Sequence, residues 1–361
     1  MRVITVGSAT IDTIAIIDSA RIERMTMRNA DSSFLLLEEG RKTEAQEVAS
    51  HPGGGAVNAA VALARLGASV AIVAKVGNDE RADIILQRLE AERISTRWIK
   101  RAAQLPTGAS VLISSHERDA AIFTFRGANT ALKPEDLPLE AFAADLVYIA
   151  NLSNDSAECF PLIVERAKKH NAKVTANPGP RQLSARGDTF LENLASVDIL
   201  VLNHSEAELL VPKLIPRWGE GGASLPIAPG ENVPTLVRGF ILGGYEMSLI
   251  SFLHAITALG PNYVVVTDGA HGAFVGSATE VLFAAAQNSE VVGTAGAGDA
   301  FAATFSAFIA RDCPADEALA AATVNAASVV RHVDTQTGLL ANHEINEKIS
   351  EVKGAIRRWF L

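Results

Sequence analysis

Gly293-Thr294-Ala295-Gly296-Ala297-Gly298-Asp299-Ala300-Phe301 is a glycine-rich turn that runs straight into an apolar stretch ending near Ala310. Glycines ahead of a helix let the backbone curl until several N–H groups point at one spot. The positive end of the helix dipole aims at the same place. Such a cradle suits an anion, above all a phosphate. Asp299 stands at its lip, where a carboxylate can take a proton from an incoming hydroxyl. The same residues also read as a plain helix start, with Asp299 complementing the dipole. The rest of the chain decides between the two.

Working outward, short β-branched runs alternate with amphipathic stretches. Strands are predicted at 2–7, 69–76, 145–150, 172–176, 198–202 and 262–267, and helices at 57–66, 80–92, 156–170, 205–210, 300–311 and 315–332. The strands from 145 onward are continuous apolar runs, as expected of strands buried on both faces. This pattern predicts a three-layer α/β/α sandwich with a mainly parallel sheet, whose ligands bind at the carboxyl ends of the strands. Two regions break the alternation. Strand-like runs at 13–17, 33–38 and 43–49, with a hairpin of 107–115 and 120–125 across 116–119, predict a small β lid. Residues 1–12, 51–106 and 127–361 then form the main domain, and 13–50 and 107–126 the lid. The other break, 212–244, is rich in Gly and Pro and reads as a long loop without an assigned role.

The chain has 361 residues, 48% of them hydrophobic and 20% charged, enough for one large α/β domain with a small appendage. A net charge of −9 argues against nucleic acid or an anionic membrane as partner. No stretch approaches the apolar length of a membrane span, and the start of the chain is strand-like rather than a leader. Cys159 and Cys313 are far apart, without disulfide or zinc spacing, which suits a reducing cytoplasm.

A second glycine-rich site, Pro52-Gly53-Gly54-Gly55-Ala56-Val57-Asn58, opens a helix. Gly54 and Gly55 offer bare backbone to a ligand, and Asn58 offers a carboxamide. Its likeness to a dinucleotide fingerprint fails, because the next strand ends at Lys75-Val76-Gly77 rather than at an acid for a ribose hydroxyl. Asp12, expected at the same sheet edge, completes a hydroxyl clamp. Asn203-His204-Ser205-Glu206 reads as a capping box, or as a site where Glu206 holds magnesium through water. Thr267-Asp268-Gly269-Ala270-His271-Gly272 is a polar turn able to border a nucleotide. No Walker-type glycine loop occurs, and His51, His204 and His271 lack partners for a nucleophile relay.

Taken together, Gly7-Ser8-x-x-x-Asp12, Gly53 to Asn58, Asn177-Pro178-Gly179-Pro180, Asn203-x-x-Glu206, Thr267-Asp268-Gly269-x-x-Gly272 and Thr294 to Phe301 occur in the order of a ribokinase-like, PfkB-type carbohydrate kinase. The resemblance spans roughly residues 1–335. It implies an ATP- and Mg2+-dependent kinase with Asp299 as general base and the amides around Gly296, Ala297 and Gly298 as the anion hole. It assigns Asp12, Gly54, Gly55 and Asn58 to sugar hydroxyls. Asn203 and Glu206 go to phosphate and hydrated magnesium, and Thr267, Gly269, Gly272 and Asn325 to the nucleotide.

Three departures shape the expectation. Gly293-Thr294-Ala295 lacks the acid that many relatives carry there, which leaves any monovalent-cation support open. Gly55 replaces the lysine of ribokinases proper. Arg126, just past the lid hairpin, can meet a carboxylate or phosphate on the substrate. Within the family a nucleoside kinase is the alternative, and from a different functional class a non-catalytic sugar-binding protein on this fold. Exposed lid edges further predict a homodimer.

Overall fold

The computed structural model describes residues 1–18, 23–26, 33–36, 40, 42–114, 121–226 and 233–361. From the start run β1 (Arg2–Val6), β2 (Thr10–Ile17), the short pair β3 (Glu23–Thr26) and β4 (Ser33–Leu36), and β5 (Ala45–Gly53). Next come α1 (Gly55–Arg65), β6 (Ser69–Val76), α2 (Glu80–Ala91), β7 (Ser95–Arg101), β8 (Gly108–Ser114) and β9 (Ala121–Phe125). Strands and helices then alternate as β10 (Leu146–Ile149), α3 (Phe160–Lys169), β11 (Lys173–Ala176), α4 (Pro180–Glu192), β12 (Ile199–Asn203) and α5 (His204–Trp218). A short α6 (Pro234–Arg238), the hairpin β13 (Phe240–Leu242) and β14 (Tyr245–Met247), and α7 (Leu249–Thr257) precede β15 (Tyr263–Thr267), β16 (Ala273–Gly276) and β17 (Glu280–Ala284). The chain closes with α8 (Ala297–Ala310), α9 (Ala315–Val329), α10 (Asn342–Gly354) and β18 (Arg357–Phe360).

Ten strands form one sheet in the order β7-β6-β1-β10-β11-β12-β15-β16-β17-β18. It is parallel from β7 to β15, and β16 to β18 add an antiparallel edge. The continuous apolar runs have the two-sided burial predicted for them. Tyr148 and Val201 pack toward α1, α8 and α9, whereas their neighbours Val147, Ile149, Leu200 and Leu202 pack toward α3, α4, α5 and α7. Among the described residues no helix is long and apolar enough to cross a membrane.

A smaller sheet, β5-β2-β8-β9, stands off the carboxyl edge of the large one. Its β2–β5 and β8–β9 pairings are antiparallel and its β2–β8 pairing parallel. Ile14, Ile16 and Leu112 on its inner face cluster with Ala295 and Val333, so the sheet packs on the glycine-rich turn. The predicted hairpin turn at 116–119 lies outside the described residues, as do residues 37 and 38.

The region read as a long loop, 212–244, carries regular elements among its described residues. α5 continues through Pro212 and Pro216 to Trp218, and the segment then supplies α6 and the β13–β14 hairpin. The apolar stripe Ala207, Leu210, Val211 and Leu214 is buried in the core and overrides the two prolines. Residues 227–232 lie outside the described part. The predicted helix 156–170 begins only at Phe160, after a 3-10 turn (Asn154–Cys159), with Pro161 fixing the first helical turn.

Candidate active site

The carboxyl ends of β1, β10, β11, β12 and β15 lead respectively to Gly7, Ala150, Asn177, Asn203 and Thr267, along one edge of the sheet. On β2, Asp12 Oδ1 accepts from Thr10 Oγ1 at 3.0 Å and from Ser110 Oγ at 2.5 Å, which ties two lid strands together. Burial raises its pKa, opposed by these hydroxyl bonds and by His51, its cross-strand partner. The three glycines answer to close approach. A Cβ on Gly53 would strike the Asp12 carboxylate, one on Gly54 (φ 94°) would meet Ser8 O at 2.6 Å, and one on Gly55 would stand 3.4 Å from Asp299 Oδ1. The Gly55 N–H donates to Ser8 Oγ at 3.0 Å, fixing this backbone beside Asp299.

Asp299 lies in the first turn of α8 and accepts from Asn58 Nδ2 at 2.8 Å through Oδ2. Asn58, expected to hold a sugar hydroxyl, also positions Asp299 in the structure. Its Oδ1 accepts from Thr335 Oγ1 (2.8 Å) and Gln336 Nε2 (3.2 Å), which fixes the carboxamide so that its amide end faces the carboxylate. Gln336 is itself held by Arg88 Nε (2.9 Å) and reaches Pro52 O (2.9 Å). With Asn58 4% exposed, one amide hydrogen is all that remains for a ligand. Thr335 and Gln336 escaped sequence reasoning, because they lie in a polar turn after α9 that carries no motif.

Gly296 is left-handed (φ 80°), and a Cβ there would come within 2.6 Å of Thr335 Cβ. As N-cap of α8, Gly296 brings no side chain over the leading amides, which suits the approach of an anion. Gly298 is exposed, and a Cβ on it would meet nothing within 4 Å. Burial raises the Asp299 pKa; the Asn58 bond lowers it, and the charge of Asp12 raises it further.

A cleft of about 160 Å3 gathers Gly55, Asn203, Glu206, Thr267, Gly298 and Asp299. Asn151 and Asn177, not assigned a role from sequence, line it too. Asn203 and Glu206 form the capping box in both directions, Asn203 N–H to Glu206 Oε2 at 2.9 Å and Glu206 N–H to Asn203 Oδ1 at 2.8 Å. Burial, with the Asp299 charge adding to it, pushes the Glu206 pKa up to about 7. Gly269 and Gly272 shape the turn after Thr267 but do not line the cleft. Gly272 (φ 117°) is needed because a Cβ would strike Ala284 O. Thr235, from the segment read as a loop, donates to Asp268 Oδ2 at 2.6 Å and contacts His204 Nδ1 at 2.9 Å, bracing this turn.

Asn325 is corrected from its expected place beside the nucleotide. It is 0% exposed, donates to Thr304 Oγ1 at 2.8 Å and accepts from the Leu340 N–H at 2.9 Å. A carboxamide between alanine-rich helices must find internal partners, and this one joins α8, α9 and the turn before α10. Arg126 sits at the root of the lid, its Nη1 donating to Ser153 Oγ at 2.9 Å.

The pfkB family carbohydrate kinase model matches residues 12–342 of this sequence. The chain belongs to that family. The deoxyribokinase of Salmonella typhi is 25% identical over 338 residues, covering 93% of this chain and 98% of that protein. An Arabidopsis thaliana ribokinase complexed with ribose and ATP matches at TM-score 0.69 and 20% identity, covering 96% of this chain and 98% of the other. A putative ribokinase II from E. coli in complex with ATP and Mg2+ matches at TM-score 0.72 and 19% identity, over 97% of this chain and 99% of the other. The fold of this pfkB-family chain is therefore that of ribokinases, and the chain is a carbohydrate phosphotransferase by family.

For this pfkB-family kinase the cleft residues fit a hydrated cation. Glu206 is buried, forms no ion pair among the described residues, and opposes the charge of Asp299. A cation held through water at this carboxylate relieves the repulsion. Among the described residues no cluster of three or more His, Cys, Asp or Glu is placed to bind a bare ion, so the fit is to a hydrated one.

Proposed function

We propose that this protein is an ATP-dependent kinase that moves the γ-phosphoryl group to a hydroxyl of a sugar or sugar derivative, with Asp299 as its general base. The observation that carries this reading is the pairing of two features at one helix start. An ionisable carboxylate is oriented by a locked amide, and the helix beside it starts at a left-handed glycine that brings no capping side chain. Pure binding needs no base. In the proposed reaction Asp299 takes the proton of the acceptor hydroxyl as its oxygen attacks the γ-phosphorus and the bond to ADP breaks. The backbone of Gly296, Ala297 and Gly298 stabilises the charge that spreads over the phosphoryl oxygens.

The remaining residues divide the cleft. Asp12, Gly54 and Gly55 hold the sugar, and Asn203, Glu206 and Thr267 border the nucleotide phosphates, with Gly269 and Gly272 shaping the turn beside them. Magnesium, bound to Glu206 through water, supplies positive charge for the ATP phosphates. The lid sheet of β5, β2, β8 and β9 excludes water from the acceptor side. Its inner face carries Ile14, Ile16 and Leu112, while Phe123 and Phe125 share the opposite face with Val111. No aromatic clamp for a base thus faces the site from the described strands β2, β8 and β9, which favours a sugar over a nucleoside. A cytoplasmic setting belongs to the same reading, since Cys159 and Cys313 are free thiols and ATP is the donor.

Incubation with Mg-ATP and a panel of sugars, sugar acids and nucleosides, followed by ADP release, tests the assignment. At least one sugar or sugar derivative is expected to stimulate ADP formation well above water. Turnover of nucleosides alone would replace it with the nucleoside reading, and ligand binding with no ADP formed would make the protein a binding module.

A further inference from the structure

Arg126 ends the lid and opens a 3-10 turn (Gly127–Thr130). That turn is bolted to the acceptor side of the cleft. Asn129 both donates to Ala9 O and accepts from Ala9 N–H, each at 2.9 Å, in the loop between Ser8 and Asp12. Ser156 Oγ donates to Asn129 O at 2.7 Å. Arg126 is partly buried, and among the described residues its guanidinium donates to a neutral hydroxyl, that of Ser153.

Ser153 lies two residues beyond Asn151, and Arg181 two residues beyond Gly179. Asn151 and Gly179 pack so closely that a Cβ on the glycine would stand 2.9 Å from Asn151 Cβ. Segments 151–153 and 179–181 therefore leave the cleft together, and Arg126, held at Ser153, is near enough to Arg181 to feel its charge. Burial, with the charge of Arg181 adding to it, holds the Arg126 pKa below the usual arginine value. Among the described residues neither has a carboxylate partner, whereas Arg186 on the same helix as Arg181 is paired with Glu158. A partly buried guanidinium beside an exposed one, neither with a carboxylate partner among the described residues, makes a site for an anion. Asn151 lines the cleft with Asp299, and its Oδ1, buried without a hydrogen-bond partner among the described residues, calls for a hydroxyl donor.

Building on the kinase reading above, we infer that the acceptor is an anionic sugar, whose carboxylate or phosphate is gripped by Arg126 and Arg181 while one of its hydroxyls meets Asn151. Two residues of extended chain span about 6–7 Å, the length of a sugar skeleton. The anion thus sits at the end of the substrate remote from the hydroxyl that is phosphorylated.

The test measures ADP release with matched neutral sugars, sugar acids and sugar phosphates for the wild type, Arg126→Ala, Arg126→Lys and Arg181→Ala. The wild type should show a higher kcat/KM for an anionic sugar than for its neutral counterpart, and the better of the two anionic arms identifies the group. Arg126→Ala should lower that ratio about 10–100-fold, mainly through KM, and Arg126→Lys should lose less. If Arg126→Ala fails to fold by circular dichroism, the exposed Arg181→Ala supplies the same readout. A wild type that prefers neutral sugars, or a ratio unmoved by both alanine variants, overturns this inference and leaves the kinase reading standing. No ADP release with any sugar overturns both.

Discussion

Glu206 shows how one residue can serve as cap and as charge. Its capping role is plain in the spacing Asn203-x-x-Glu206, since both reciprocal bonds are local. Its raised pKa was not legible, because it depends on Asp299, far along the chain, and on burial under other elements. The folded protein holds the Glu206 proton up to about pH 7, against an ordinary value of 4.5. Between these limits the unfolded chain has released the proton and the folded one has not, so stability from this group falls as pH rises. At about 1.36 kcal/mol per unit the loss is at most ~3 kcal/mol. Glu206→Gln keeps the capping geometry and removes the charge. In the absence of ATP and Mg2+ it should raise Tm at pH 7.5 and leave it nearly unchanged at pH 4.5. An equal shift at both would contradict the assignment. Asn58 teaches the opposite lesson: its residue type suggested a sugar ligand, and only the positions of Thr335 and Gln336 reveal it as the holder of Asp299.

Among the elements, the strands were the most legible, because burial on both faces writes a continuous apolar run into β10, β12 and β15. α5 was the least. Proline inside a helix costs about 3 kcal/mol, and the two in α5 signalled a break. Burying Leu210, Val211 and Leu214 is worth roughly 1.5–3 kcal/mol each, so tertiary packing offsets the local penalty. The segment that follows was unreadable for the same reason, since its value lies in a distant contact. Thr235 is fully buried and donates to Asp268. Thr235→Val keeps the volume and leaves that carboxylate short of a partner, so unfolding stability should drop by about 1–3 kcal/mol. Chemical denaturation with an unchanged midpoint would show that the contact contributes nothing.

Across the whole molecule, the strand register sets two faces on the lid. Asp12, Ser110 and Leu112 turn inward, and Val48 (64% exposed), Val111 (43%), Phe123 (58%) and Phe125 (51%) turn outward. An apolar face of this kind on an otherwise charged protein suits a second copy of the lid. We expect a homodimer by sedimentation, and Phe123→Glu should shift it toward monomer; a wild-type monomer at micromolar concentration would remove the proposal. The sandwich and its lid were legible from alternation and from its interruption. The assembly of the site was legible only as motifs in order, because Asn58 and Asp299 are 241 residues apart and meet through the packing of α1 on α8. That meeting is the centre of the proposed chemistry, and Asp299→Ala probes it most directly. With sugar and ATP binding followed by calorimetry beside steady-state rates, kcat should fall about 10²–10⁴-fold while both ligands still bind. An unchanged kcat would contradict Asp299 as the base.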